Sequence, residues 1–137
     1  MCLLLLTVFF LVNASTFAEQ PVNNKNELQM NRTISSLMDG LNSDNMGLKS
    51  GSIYMLGELK VSESVIPFMK ILKNQNDEEL KIAAALALYK IRDSRGMYAI
   101  KRSGKFENNE RVRKICNLFY KNFIGQAESK TNFLSAK

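Results

Sequence analysis

The sequence predicts an all-α protein: a short α-solenoid of about three helical hairpin repeats, about six helices in all, behind an N-terminal export signal. Three observations carry this expectation. The first is a 32-residue period: with Leu80 as origin, Leu48 lies 32 residues before it and Val112 lies 32 after. Self-similarity at a spacing of about 20 to 50 residues is the signature of repeat architectures, in which each unit buries its apolar face only against the next. The second is a shared pattern of apolar or small residues at offsets 0, 3, 4, 7, 8 and 11 from those origins, one face of a 3.6-residue helix. The third is the absence of alternating apolar runs, which leaves no strand signal.

Taken in order, residues 1–18 read as a signal peptide. Positions 3–12 form an apolar run broken only by Thr7, too short to cross a bilayer as an ordinary helix but suited to an export signal. Thr16 and Ala18 supply small residues for cleavage, although no Lys or Arg precedes Lys25. Cys2 opens the apolar run instead of following it, so lipidation there is not expected. Residues 19–27 are polar and Asn-rich, a linker or a disordered stretch. The repeat domain spans 28–124. Its first helix, 28–42, carries Leu28, Met30, Ile34, Leu37, Met38 and Leu41 and caps the stack as the second half of an incomplete repeat.

The long helices follow at 45–60, 77–92 and 108–124. The middle one, DEELKIAAALALYKI, presents Leu80, Ala83, Ala84, Ala87, Leu88 and Ile91 on one face. The first copy presents Leu48, Gly51, Ser52, Met55, Leu56 and Leu59. The third presents Val112, Ile115, Cys116, Phe119, Tyr120 and Phe123. Each begins at an Asn or Asp (Asn45, Asp77, Asn109), whose side-chain oxygen can take a backbone N–H that has no partner in the first turn. Shorter helices lie between them at 64–74 and 95–103. Pro67 suits a first turn, where no backbone N–H is needed. Gly125 stands where the last helix would end in a left-handed cap. Residues 125–137 form a C-terminal tail, in which Phe133 and Leu134 either fold back over the last repeat or stay loose.

The loop and helix NDEELKIAAALALYKIRD (76–93) and the preceding VIPFMKILKN (65–74) resemble the HEAT-like repeat family, in particular the short type found in phycobilisome lyases. The likeness covers roughly 33–124: an acidic capping loop, a cation after the first apolar position, alanines, then a Leu-containing helix end. Gly51 and Ser52 depart from it in the first copy, and Gly96 and Gly104 weaken the helix after Ser94. The resemblance implies a binding scaffold. Family members that oxidise a lysine-derived side chain use paired His-Glu iron ligands, and this chain has no His.

That lack removes the commonest general base and the commonest zinc ligand. After cleavage at Ala18, Cys116 is the lone cysteine, a small buried hydrophobe on its helix face. No phosphate-cradling glycine motif is present. Asp77, Glu78 and Glu79 cluster, but at a helix start, where acids suit the dipole. No catalytic, metal or cofactor residue is therefore nominated. Charge is uneven: residues 19–94 hold nine Lys/Arg against ten Asp/Glu, whereas 95–137 hold ten against three.

The expected function is that of an exported (periplasmic or secreted), non-catalytic scaffold for protein–protein interaction. No integral membrane segment remains once the signal is removed. The ridge of short helices would contact an unknown protein partner through Phe68, Lys70, Lys73, Lys101, Arg102 and Lys105. The alternative is an anion-binding module, for envelope polymer or nucleic acid, at a basic C-terminal end that adds Arg111, Arg113 and Lys114.

Overall fold

The computed structural model describes residues 24–135, with side chains over 25–131. The expected signal peptide, 1–18, lies outside the described residues, as do the side chains of Phe133 and Leu134. Six α-helices make up the described chain, and no strand occurs in it: α1 Asn24–Gly40, α2 Met46–Glu58, α3 Val65–Asn74, α4 Glu78–Ile91, α5 Ser94–Phe106 and α6 Glu110–Ser135. A single 3-10 turn, Ser62–Ser64, leads into α3. Two units divide at residue 30. Of the first, only the opening of α1 is described, with Leu28 and Met30 exposed. The second begins at Asn31 and carries everything below.

Helix starts follow the capping chemistry. Asn45 Oδ1 accepts from Leu48 N at 3.0 Å, Asp77 Oδ1 from Leu80 N at 2.8 Å, and Asn109 Oδ1 from Val112 N at 3.1 Å. Asp93 does the same for α5 through Arg95 N at 2.9 Å. Helix ends follow a different rule from the expected glycine. Gly125 is not a cap: α6 runs on through it to Ser135, and no glycine has a positive φ among the described residues. The left-handed positions are Lys60 (φ 52°) and Arg92 (φ 63°). At Lys60 the chain closes α2 with paired bonds, Val61 N to Leu56 O at 3.1 Å and Lys60 N to Gly57 O at 3.2 Å, and buries Val61 behind them. At the other end of the chain, residues 24–27, expected in a linker, already belong to α1.

α4 is the centre of packing. It lies against α2, α3, α5 and α6, while α3 also meets α5 and α5 meets α6. Its Leu80, Ala84, Ala85, Ala87 and Leu88 are all buried, joined by Ile53 and Leu56 of α2, Val65, Phe68 and Leu72 of α3, Met97 and Ile100 of α5, and Val112 and Cys116 of α6. Burial of each large aliphatic side chain stabilises by about 1.5–3 kcal/mol. The alanines let helices come close. Gly57 sits so near Ala87 that an added Cβ would lie 2.8 Å from its Cβ and 2.9 Å from its Cα.

The expected face of the first long helix is only half used. Ser52 and Leu56 are buried, but Leu48, Met55 and Leu59 are 55, 44 and 38% exposed. The reason is position: α4 has α2 and α6 beside it, whereas α2 has only α4 among the long helices. In the third copy Val112 and Cys116 are fully buried, and Phe119, Tyr120 and Phe123 are half-buried against the core. Polar contacts join residues about 32 apart: Glu58 with Lys90, Glu78 with Asn109 (2.6 Å), and Glu79 with Arg111 (2.5 Å). Tyr89 stacks on Phe119 with centroids 5.0 Å apart.

Candidate functional site

α3 and α5 are amphipathic and lie side by side. α3 turns Val65, Phe68, Ile71 and Leu72 inward and leaves Ile66, Lys70 and Lys73 outside. α5 turns Gly96, Met97, Ile100 and Gly104 inward and leaves Tyr98, Lys101, Arg102, Lys105 and Phe106 outside. Neither helix contains an Asp or Glu. A groove of about 350 Å³ runs between them. Met69, Leu72 and Lys73 line it from α3; Tyr98, Ala99, Arg102, Ser103 and Phe106 line it from α5. Tyr98 and Phe106 are 65 and 75% exposed, an unusual position for two rings so close along one helix.

Lys81 and the loop residues Glu107 and Asn108 complete the groove. Lys81 Nζ lies 3.0 and 2.9 Å from the two Glu107 carboxylate oxygens, with both side chains largely buried. Burial pushes the Glu107 carboxyl up. The Lys81 ammonium and the backbone N–H groups of Asn109 and Asn108 outweigh it, and the group stays below the usual carboxylate range. The pair is thus charged and self-neutralising. The cations left without an ion-pair partner among the described residues around the groove are Lys73 and Arg102, with Lys70 and Lys105 further out.

The nine residues nominated from sequence fall into three groups. Lys70, Lys73, Lys101, Arg102 and Lys105 are exposed on α3 and α5 as expected, with Lys101 Nζ 5.3 Å above the Tyr120 ring. Phe68 is a correction: it is fully buried, because it shares the inward face of α3 with Val65, Ile71 and Leu72 and cannot touch a partner. Arg111, Arg113 and Lys114 do not join the other cations in one open basic end. Arg111 Nη1 meets Glu78 at 2.6 Å and Glu79 at 2.5 Å. Arg113 Nη1 donates to the carbonyls of Glu107 (2.8 Å) and Asn108 (3.4 Å), and Lys114 pairs with Glu110 at 2.8 Å. Hydrogen bonds from Asn109 and then Arg111 hold the Glu78 carboxyl below its ordinary value. The acidic cluster at the start of α4 therefore serves as the counter-charge for the next capping loop.

Sequence reasoning missed Tyr98, Phe106 and the Lys81–Glu107 pair. The signal for the rings was available: Tyr98, Arg102 and Phe106 are four apart, one side of a helix, opposite Met97, Ile100 and Gly104. The expected helix stops at 103, which leaves Phe106 outside it and hides the side that it shares with Tyr98. Gly104 is instead helical and buried, its carbonyl accepting from Asn117 Nδ2 at 2.7 Å. Among the described residues, no three His, Cys, Asp or Glu side chains converge as a metal would need, and no helix is long and apolar enough to cross a membrane. No known family's sequence model matches this chain, and no curated protein is significantly similar to it.

Proposed function

We propose that this chain is an exported, non-catalytic HEAT-like repeat scaffold that binds another protein along the α3–α5 face. The repeat reading is supported by the three N-caps at 45, 77 and 109, and by polar contacts that join residues about 32 apart on successive long helices. The observation that carries the binding reading is the groove: exposed rings, and cations without ion-pair partners among the described residues, over an apolar floor on two helices that hold no acid. Exposed aromatic residues beside Arg make good recognition anchors, because they bury much area at little entropy cost. Export is supported by the apolar run at 3–12 and the small residues before position 19.

The test is site-specific photo-crosslinking in intact cells, with the crosslinker at Tyr98 and, as a control, at Lys121 on α6. A discrete adduct from position 98 only, resolved to one partner by mass spectrometry, is expected. No adduct from folded, exported protein would defeat the reading. The mass of the exported form reports cleavage after Ala18. The anion-binding alternative draws less support, since Arg111 and Lys114 are ion-paired within the chain and Arg113 is held by backbone carbonyls.

A further inference from the structure

We infer that the α3–α5 groove takes a short, extended, acidic peptide segment that carries one large apolar side chain as its anchor. The inference rests on the protein-binding reading above and adds the chemistry of the occupant. Tyr98 and Phe106 stand eight residues apart on α5, so they are separated by about 12 Å along the helix axis. An extended chain covers that distance in about four residues. One side chain of such a segment can reach the apolar floor of Met69, Leu72 and Ala99, while its neighbours lie toward the rims.

The rims define the charge. Lys73 on α3 and Arg102 on α5 line the same groove and have no ion-pair partner among the described residues, and no carboxylate on either helix competes for them. The one acid of the groove, Glu107, is held by Lys81. A ligand carboxylate therefore meets uncompensated cations on both sides and no like charge that is free. A nucleic acid fits less well. Its phosphates need a continuous row of cations; beyond the groove Arg111 and Lys114 are already ion-paired, and the Arg113 guanidinium is tied to the Glu107 and Asn108 carbonyls.

Fluorescence anisotropy on the purified full chain tests this with three labelled probes: the peptide EDELFEDE, the anchorless peptide EDEGSEDE, and an oligothymidylate. In EDELFEDE either Leu or Phe supplies the single anchor, because adjacent side chains of an extended segment face opposite ways. Half-saturation by EDELFEDE below about 100 µM at low salt is expected, weakening as salt rises. Lys73→Glu with Arg102→Glu is expected to weaken it at least about 10-fold, and Tyr98→Ala with Phe106→Ala about 5-fold or more. Lys121→Glu, an exposed change on α6, is expected to leave it unchanged. All these positions are exposed, and an unaltered circular dichroism spectrum and melting midpoint verify that each variant is folded. Equal binding of the anchorless peptide would overturn the anchor, and equal or tighter oligothymidylate binding would overturn the peptide. Failure of EDELFEDE to bind, or indifference to the groove variants, would overturn the whole inference. If the crosslinker at Tyr98 still captures a protein in that case, the scaffold reading survives and the acidic occupant does not; if it captures none, both fall.

Discussion

Replacing Gly57 with alanine is expected to destabilise the protein, although alanine is the better helix former. The same helix contains its own control. At Gly51 an added Cβ meets nothing within 4 Å, and the residue is exposed. Gly51→Ala therefore has only the propensity gain, about 0.8–1 kcal/mol. At Gly57 the added methyl would lie 2.8 Å from Ala87 Cβ and 2.9 Å from Ala87 Cα. The second contact is with backbone, so no rotamer change relieves it, and α2 must move off α4 by roughly 0.7 Å to restore ordinary contact. Overpacking of that kind costs about 1–3 kcal/mol, and contact with rigid backbone argues for the upper half of that range. Less the propensity gain, the net loss is about 1–2 kcal/mol, or roughly 4–8 °C in melting midpoint for a domain of this size. Gly51→Ala is expected to move the midpoint up by about 4 °C. Thermal and urea unfolding, followed by far-UV circular dichroism, read both. If Gly57→Ala raises the midpoint as much as Gly51→Ala does, the close approach of α2 and α4 is wrong.

Ser52 Oγ is buried without a hydrogen-bond partner among the described residues, so Ser52→Ala is expected to stabilise by about 1 kcal/mol in the same unfolding assay. Hydrogen bonds from Arg95 depress the Asp93 carboxyl from 3.8 to about 2. A lowered folded-state value means that its contribution is complete above pH 3.8 and disappears as pH falls through about 2, and an NMR titration is expected to show that midpoint. Burial pushes the Cys116 thiol up to about 12, so it is expected to resist iodoacetamide in the native protein and to react once urea unfolds it. Fast alkylation without denaturant would contradict its place in the core.

How much was legible depends on what kind of signal each feature leaves. The helices were readable because their caps and apolar spacing are local: Asn45, Asp77 and Asn109 act within three residues of themselves. Exposure was not readable, because it depends on neighbours. Leu48 and Leu80 share a register position, yet one is 55% exposed and the other 2%, since only α4 has long helices on both flanks. Charge misled for the same reason. Arg111 counts toward a basic segment in sequence, but the acids that match it lie 32 and 33 residues earlier. The groove was half legible: its cations were nominated, whereas Phe106 fell beyond the expected helix end at 103, so the side that it shares with Tyr98 was not seen.

The corner after α4 carries a trade that a glycine could not make. Arg92 accepts a left-handed backbone, costing about 1–2 kcal/mol for a residue with a Cβ. In return its guanidinium lies 5.9 Å from the Tyr89 ring centroid and 5.7 Å from that of Phe123, and it donates to Gln126 of α6. The bend thereby becomes a rivet between two rods. A glycine at 92 would relax the local geometry but give up these contacts between the turn and the far rod, so the most comfortable residue for that turn is not the one the molecule uses.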